Sequence, residues 1–194
     1  MNPNLSTLLT QTDRIMAGGN GWHADPNLIL PSGVYQGRVH VGVDLGTAYT
    51  VLVVLDENFQ PIAGEYQFAE VTRDGLVVDF IGAVDLLRVM KSKVEKKLGF
   101  KLTSAATAYP PGVPQAEVRA TANVLHGAEL DCTGIIDEPT AANVEGHPVD
   151  KLYLVGGTCA FVGMDEVIQE MTGIETVLPS NPLFVTPLGI AMNN

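Results

Sequence analysis

Residues 39–55, which read VHVGVDLGTAYTVLVVL, decide the fold of this chain. They predict two apolar β-strands joined by a tight reversal that contains a glycine. Gly46 permits close approach of the backbone to a ligand, and successive N–H groups in such a turn form a concave anion site. Asp44, at the end of the first strand, would then hold a cation or its water shell against bound phosphates. The alternative from this stretch alone is an ordinary hairpin in which Asp44 only closes the turn.

Two later segments carry further motifs: residues 135–143 read IIDEPTAAN, and residues 154–158 read LVGGT. In this order, the three segments resemble the first phosphate loop, the first connecting helix and the adenosine motif of the actin/Hsp70 ATPase superfamily. Within that superfamily the chain resembles an ethanolamine-utilisation family. That family has stretches comparable to residues 73–80, 105–112 and 183–191. The resemblance extends over nearly everything from residue 38 onwards.

The composition fits a globular protein, with 46% hydrophobic and 17% charged residues. A net charge of -11 argues against nucleic acid or an anionic membrane as partner, because both require a cationic surface. Cys132 and Cys159 lack metal-ligand spacing, which favours two reduced thiols. The sequence has no bilayer-length apolar run and no secretory signal pattern, so we expect a cytoplasmic protein.

The resemblance implies an α/β fold from residue 38 onwards, and we expect the chain to have three parts. Residues 1–37 form an arm that either packs on the body or a neighbouring chain, or is a disordered leader. Residues 38–143 form a ribonuclease-H-like first lobe, largely intact, with the phosphate loop and the first connecting helix. Residues 144–194 form a truncated second lobe with the adenosine-like motif and a second connecting segment.

Residues 81–98 give the clearest helix prediction, because apolar side chains recur there at three- and four-residue steps. Four lysines near its end are expected on a solvated face, where cations complement the helix dipole. Further strands are expected at 61–71, 102–108, 131–136 and 151–155. Further helices are expected at 114–126, from 138–140, and at 164–171, and an apolar run at 188–192.

The resemblance also implies site residues for ATP or ADP with Mg²⁺. Gly46 and the N–H groups of Thr47, Ala48 and Tyr49 would face the phosphates. Asp44 would act in catalysis and meet Mg²⁺ through water. Glu138 would organise metal-bound and attacking water, and the adenosine side would be formed by Gly156, Gly157 and Thr158. The alternatives are a helix-N-terminal carboxylate for Glu138 and a plain strand-to-helix turn for the glycine pair.

One part of the superfamily pattern is missing. No D-x-G-G-G-T phosphate loop occurs in the 194 residues, and no lysine matches the one that Hsp70 proteins use at the γ-phosphate. Phosphoryl transfer requires positioning and charge neutralisation from both sides. We therefore expect no useful rate of ATP hydrolysis, and the nucleotide site is expected to be weak or vestigial.

The resemblance implies a chaperone-like or assembly protein of bacterial ethanolamine utilisation, acting on pathway enzymes or microcompartment proteins. Two alternatives remain: an ATP-dependent switch whose site is completed by a partner chain, and a purely structural remnant. The strand at 151–155 lacks its usual neighbours. It is expected to join the first sheet, to be covered by the arm, or to pair with another chain in a homodimer.

Overall fold

The computed structural model of the chain describes residues 5–16, 37–73, 76–137, 151–156, 159 and 161–193. Its helices are α1 (Leu5–Met16), α2 (Phe80–Leu98), α3 (Gln115–Gly127), α4 (Met164–Thr172) and α5 (Val185–Met192). Its strands are β1 (His40–Leu45), β2 (Tyr49–Leu55), β3 (Pro61–Phe68), β4 (Thr72–Arg73), β5 (Leu76–Val77), β6 (Ser104–Tyr109), β7 (Asp131–Asp137), β8 (Lys151–Tyr153) and β9 (Glu175–Val177). A short 3-10 helix, Pro182–Phe184, leads into α5.

Five strands form the central sheet, in the order β3-β2-β1-β6-β7. The first three strands pair antiparallel, whereas β1, β6 and β7 run parallel. Helix α2 leads into β6, and α3 connects β6 to β7. Three consecutive antiparallel strands followed by α/β alternation were expected from the sequence, and the α/β fold class is confirmed.

Both faces of this sheet are covered, because successive side chains of a strand point to opposite faces. On one face, Val41, Val43 and Leu52 belong to a buried cluster shared with α2 and α3. On the other face, Val51 and Val53 belong to a cluster shared with α1 and α5. Each such buried aliphatic side chain contributes about 1.5–3 kcal/mol to folding. The result is three layers, with helices above and below one sheet.

Small residues on the second face allow α5 to lie directly on the sheet. The register places Gly42 of β1 beside Ala106 of β6, and Ala106 beside Gly134 of β7. A Cβ atom at Gly42 would lie 2.7 Å from the backbone nitrogen of Ala191 and closer still to the carbonyl oxygen of Pro187. Only glycine fits at this crossing, so the packing of α5 on β1 requires Gly42.

The N-terminal helix α1 packs on the same face, against β3. Its apolar side chains Leu8 and Met16 are buried, and the Met16 thioether fills the space beside Gly64. Asp13 Oδ2 accepts a hydrogen bond of 3.1 Å from Ser180 Oγ. Residues 5–16 therefore follow the interpretation in which the arm packs on the body.

Helix α2 begins at Phe80, one residue before the predicted start, and the expectation that all four lysines face solvent is wrong for Lys91. This residue is 8% exposed, and its Nζ donates to the carbonyl oxygens of Ala128 and Glu129 at 3.2 and 2.9 Å. Those carbonyls follow the end of α3, which packs against α2. The lysine therefore joins the two helices.

Strands β8 and β9 form a separate parallel pair connected through α4. Within the described ranges β8 does not pair with the central sheet, so the expectation that it joins that sheet is wrong. Its neighbour is β9 instead. No residue of α4 is buried. This β8–α4–β9 unit is the least covered part of the described chain.

Residues 138–150 lie outside the described ranges, as do 17–36. The domain boundaries, and the helix expected from 138–140, therefore stay predictions. None of the helices in the described part of the chain combines the length and apolar character that a bilayer crossing requires.

Candidate functional site

The candidate site lies at the carboxyl ends of the parallel strands β1, β6 and β7 of the central sheet. From these ends the chain leaves β1 and β6 in opposite directions, towards β2 and β7. In open α/β sheets, ligands bind in the crevice that this reversal creates beyond the carboxyl ends of the strands. The turn at residues 46–48 and Asp44 occupy this position.

Asp44 is the penultimate residue of β1 and is partly buried, opposite Val51 of β2. It is two residues beyond Gly42, so its side chain leaves the sheet on the face that α5 covers. Helix α5 crosses β1 at Gly42. Asp44 lies two residues beyond this crossing, next to the last residue of the strand.

Hydrogen bonds to two carbonyl oxygens hold the turn in place. The carbonyl oxygen of Gly46 accepts a 2.8 Å hydrogen bond from Thr72 Oγ1, and that of Ala48 accepts one of 3.0 Å from the N–H of Ala69. Thr47 and Ala48 are exposed, and within the described ranges their own N–H groups have no hydrogen-bond partner. Two N–H donors are thus available at the carboxyl end of β1. The backbone that carries them is held in place by the hydrogen bonds that its carbonyl oxygens accept.

Gly46 is needed for a reason that the sequence did not reveal. Its φ is not positive, so the turn does not require a left-handed backbone there. A Cβ atom at Gly46 would lie 2.7 Å from the carbonyl oxygen of Tyr49. The tightness of the turn therefore excludes a side chain at this position.

Aromatic rings connect the turn to the start of α5. The Tyr49 ring lies 5.5 Å from that of Phe68 and 6.1 Å from that of Tyr66, and Tyr66 lies 5.9 Å from Phe184. Burial, reinforced by Tyr49 and the charge of Glu65, raises the pKa of Tyr66 above its usual value. Tyr66 therefore remains neutral and apolar in character at physiological pH.

Gly156 lies at the exit of β8, and its φ of 89° requires glycine. Its N–H donates to the carbonyl oxygen of Pro182 at 2.8 Å, and Val155 packs on the cluster that contains Phe184 and Tyr49. Among the described residues, its chain neighbours apart, no atom lies within 4 Å of the position that a Cβ would take, so these residues leave space beside this backbone. The adenosine-like exit and the phosphate-like turn therefore share one apolar cluster.

The structure thus brings together, directly or through that cluster, six of the predicted residues. They are Asp44, Gly46, Thr47, Ala48, Tyr49 and Gly156. The predicted residues Glu138, Gly157 and Thr158 lie outside the described ranges, so their placement and all the assigned roles stay predictions. Sequence reasoning missed Thr72, whose contact spans 26 residues and leaves no local pattern.

No group of three or more His, Cys, Asp or Glu side chains is placed to hold a metal ion in the part of the chain that the structure describes. Mg²⁺ retains several waters and often uses only one or two carboxylates together with ligand phosphates. A single carboxylate at Asp44 fits the water-mediated contact that the sequence suggested.

Sequence relatives match parts of the chain, although no protein-family model does. The ethanolamine utilization protein EutJ of Salmonella typhimurium is 46% identical over 101 residues, which are 52% of this chain and 35% of the relative. A chaperone protein HscA homolog of Laribacter hongkongensis is 34% identical in an alignment of 161 positions that covers 74% of this chain and 26% of the relative. The matches therefore cover about a third or less of these relatives.

Solved structures agree with the sequence relatives. The crystal structure of EutJ from Carboxydothermus hydrogenoformans matches with a TM-score of 0.75 and 29% identity, over 84% of this chain and 92% of that one. A PilM-PilN type IV pilus biogenesis complex matches with a TM-score of 0.63 and 10% identity, over 79% of this chain and 98% of that one, which bears on the fold alone. With the strand order and the turn after β1, these likenesses show that the chain is similar to EutJ proteins in sequence and structure and has the actin/Hsp70-like α/β fold.

Proposed function

We propose that this chain is a cytoplasmic chaperone-like or assembly protein of bacterial ethanolamine utilisation, associated with the microcompartment. The observation that carries the proposal is the likeness to EutJ over most of the chain, at the level of both fold and sequence. Its partners would be pathway enzymes or microcompartment proteins. A homodimer through residues 151–155 is part of the proposal, because β8 has only β9 as a described neighbour.

A weak site for ATP or ADP is the second part of the proposal. The N–H groups of Thr47 and Ala48, which have no hydrogen-bond partner among the described residues, suit phosphate oxygens, and Asp44 suits the water shell of Mg²⁺. The open space beside Gly156 suits the adenosine side. Bound Mg²⁺ would neutralise phosphate charge, while this chain would supply backbone donors from one side only.

The one-sided site is the reason that we propose binding without useful hydrolysis. Positioning and charge stabilisation account for nearly all catalysis of phosphoryl transfer. This chain has no D-x-G-G-G-T loop to approach the phosphates from the second side. Glu138, Gly157 and Thr158 would contribute to the site, but they do not replace that loop.

The second candidate is an ATP-dependent switch that acts on pathway enzymes and is completed by a partner chain. The uncovered β8–α4–β9 unit favours it, because a partner could bind beside Gly156 and contribute the missing donors. Under this alternative, ATP turnover would appear only when that partner is added.

A thermal-shift titration with Mg-ATP tests nucleotide binding. We expect a rise in Tm at millimolar concentrations only, because a ligand stabilises the folded state by RT ln(1 + [L]/Kd). The Asp44→Asn variant should lose the rise that depends on Mg²⁺. Steady-state phosphate release by the chain alone, lost in Asp44→Ala, would overturn the proposal of a degenerate site.

An aggregation assay tests the chaperone-like role. Purified ethanolamine-utilisation enzymes are diluted from denaturant with and without the chain, and light scattering is followed. Suppression is expected without added nucleotide. If no pathway enzyme is protected, and none co-sediments with the chain, the proposed role is wrong.

A further inference from the structure

Half of the large apolar side chains that the described residues expose lie in the β8–α4–β9 unit. Of the ten such residues, five lie between 153 and 171. Phe161, Val162, Val167 and Met171 are 66%, 104%, 52% and 78% exposed, respectively. Four side chains of this size, clustered in and just before one short helix, exceed the scattered apolar exposure that is normal for a surface.

Helix geometry sets Val167 and Met171 side by side on the outer surface of α4. On another side of the helix, Gln169 Oε1 accepts a 3.0 Å hydrogen bond from the N–H of Thr176 in β9. Val167 and Met171 are four residues apart and nearly opposite Gln169 on the helix. The carbonyl oxygen of Phe161 accepts a hydrogen bond from the N–H of Met164, so the turn that carries Phe161 leads directly into α4.

A row of carboxylates runs beside this apolar row. Glu166 and Glu170 are exposed, are also four residues apart, and each precedes one of the two apolar residues. Residues 151–177 contain four carboxylates and one lysine, and that lysine is already paired with Glu175 at 2.7 Å. The surface, here called the α4 face (Phe161, Val162, Glu166, Val167, Glu170, Met171), is therefore apolar with an acidic rim.

We propose that the α4 face binds a basic amphipathic helix of a partner protein. The partner would present apolar residues at positions i, i+3 or i+4, and i+7, with lysine or arginine along one side. Helices of this kind bind apolar grooves through such anchors, and methionine adapts well to them. Helix α4 has nine residues, about 13.5 Å long, which matches two to three turns of a partner helix.

The carboxylates of the α4 face disfavour anionic partners. An anionic membrane surface or a nucleic acid would meet Glu166 and Glu170 with like charge. The inference rests on the proposed function only in that both require a protein partner, and it adds the chemistry by which that partner would be recognised.

Fluorescence anisotropy with two labelled synthetic helices tests the inference on the full chain. One helix carries leucine at the anchor positions and lysine elsewhere, and its counterpart carries glutamate in place of lysine. We expect the lysine peptide to bind at least about tenfold more tightly than the glutamate peptide, and to weaken as salt is raised. Equal binding of both peptides, or of neither, would overturn the inference.

Variants locate the binding surface. Val167→Glu with Met171→Glu should weaken binding of the lysine peptide at least about tenfold, as expected for central anchors. Ile81→Glu is the matched control, because Ile81 is 74% exposed on α2. It should leave binding unchanged. Both variants alter exposed side chains, so circular dichroism should give Tm values close to that of the unaltered chain.

Charge reversal separates the acidic rim from the net charge of -11. Glu166→Lys with Glu170→Lys should abolish the preference for the lysine peptide. Glu70→Lys with Asp85→Lys changes the net charge equally at exposed positions elsewhere and should retain the preference. If both pairs act alike, binding is a general charge effect and the inference fails.

Two further outcomes distinguish the proposals. If sedimentation velocity shows a dimer that Met171→Glu abolishes, while no peptide binds, the α4 face binds a second copy and the inference is wrong. If pathway enzymes are protected equally by the chain and by Val167→Glu with Met171→Glu, the proposed function stands and the α4 face is not its surface.

Discussion

The central sheet and the β8–α4–β9 unit contain similar apolar residues in opposite surroundings. Val43 of β1 and Leu52 of β2 are completely buried, and both faces of their sheet carry helices. No residue of α4 is buried, and the strands β8 and β9 have three residues each. Parallel strands are normally covered on both faces. The first region is complete by itself, whereas the second displays the surface that a partner would cover.

The largest effect that separates the two regions is expected from truncation of apolar side chains. Leu188 of α5 is 0% exposed, so Leu188→Ala should lower the free energy of unfolding by about 2–5 kcal/mol. Met171→Ala in α4 should change it by no more than about 0.5 kcal/mol. Urea unfolding of both variants measures the difference, and equal losses would show that the contrast between the regions is wrong.

Close approach of backbone gives the next largest effect. Gly42→Ala should cost about 1–3 kcal/mol, because α5 leaves no room for the methyl group. Gly134→Ala, in the same row of the sheet, would meet only Ala106 Cβ at 3.6 Å and should change stability by less than about 1 kcal/mol. Chemical denaturation compares them. A tolerated alanine at position 42 would mean that α5 does not lie on β1 as described.

A buried ammonium group in the first region gives the third prediction. Lys91→Met should cost about 1–3 kcal/mol, because the carbonyl oxygens of Ala128 and Glu129 lose their charged donor. Lys96→Met, at an exposed position on the same helix, should cost less than about 0.5 kcal/mol. Thermal unfolding checks both, and the prediction fails if their Tm values coincide.

The smallest predicted effect depends on pH and concerns Glu95. Burial alone would raise the pKa of this carboxyl, but hydrogen bonds from Lys101 and the N–H of Leu102, together with the charge of Lys91, outweigh it and lower the pKa. Since the folded-state pKa is lowered, the stabilisation is present above the usual pKa and is lost as the pH falls through the lowered one.

The measurement is the difference in unfolding free energy between the unaltered chain and Glu95→Gln, followed from pH 7 into the acid range. The difference should be constant near neutrality and shrink below the usual carboxyl pKa. Glu70→Gln, at an exposed position, serves as the control. A difference that grows with acid would contradict the assigned hydrogen bonds.

The sequence predicted the elements whose periodicity is strong and local. The apolar stripe of α2 gave its start to within one residue, and the turn after Asp44 lies between two strands as expected. Contacts between distant segments left no such pattern. Nothing local indicates that Lys91 reaches the end of α3, that Thr72 holds Gly46, or that three-residue β8 pairs with β9.

The candidate site was predictable to the same extent. The turn and Asp44 were located from one stretch, because strand, turn and strand follow each other directly. The role of Gly46 in closing the turn, and the ring contacts from Tyr49 to Phe184, depend on how β3 and α5 approach the turn. Such approaches are decided by packing of the whole molecule, which no short segment encodes.

The crossing of α5 over β1 has a consequence for biosynthesis. Strand β1 is synthesised early, whereas α5, which packs on it, is the last of the described elements to be synthesised. Until then, α1 alone covers this face, and Val51, Val53 and Leu55 lack the contacts that α5 supplies. Contacts of such high sequence separation slow folding and lengthen exposure to aggregation, so the nascent chain itself is expected to depend on holding factors during synthesis.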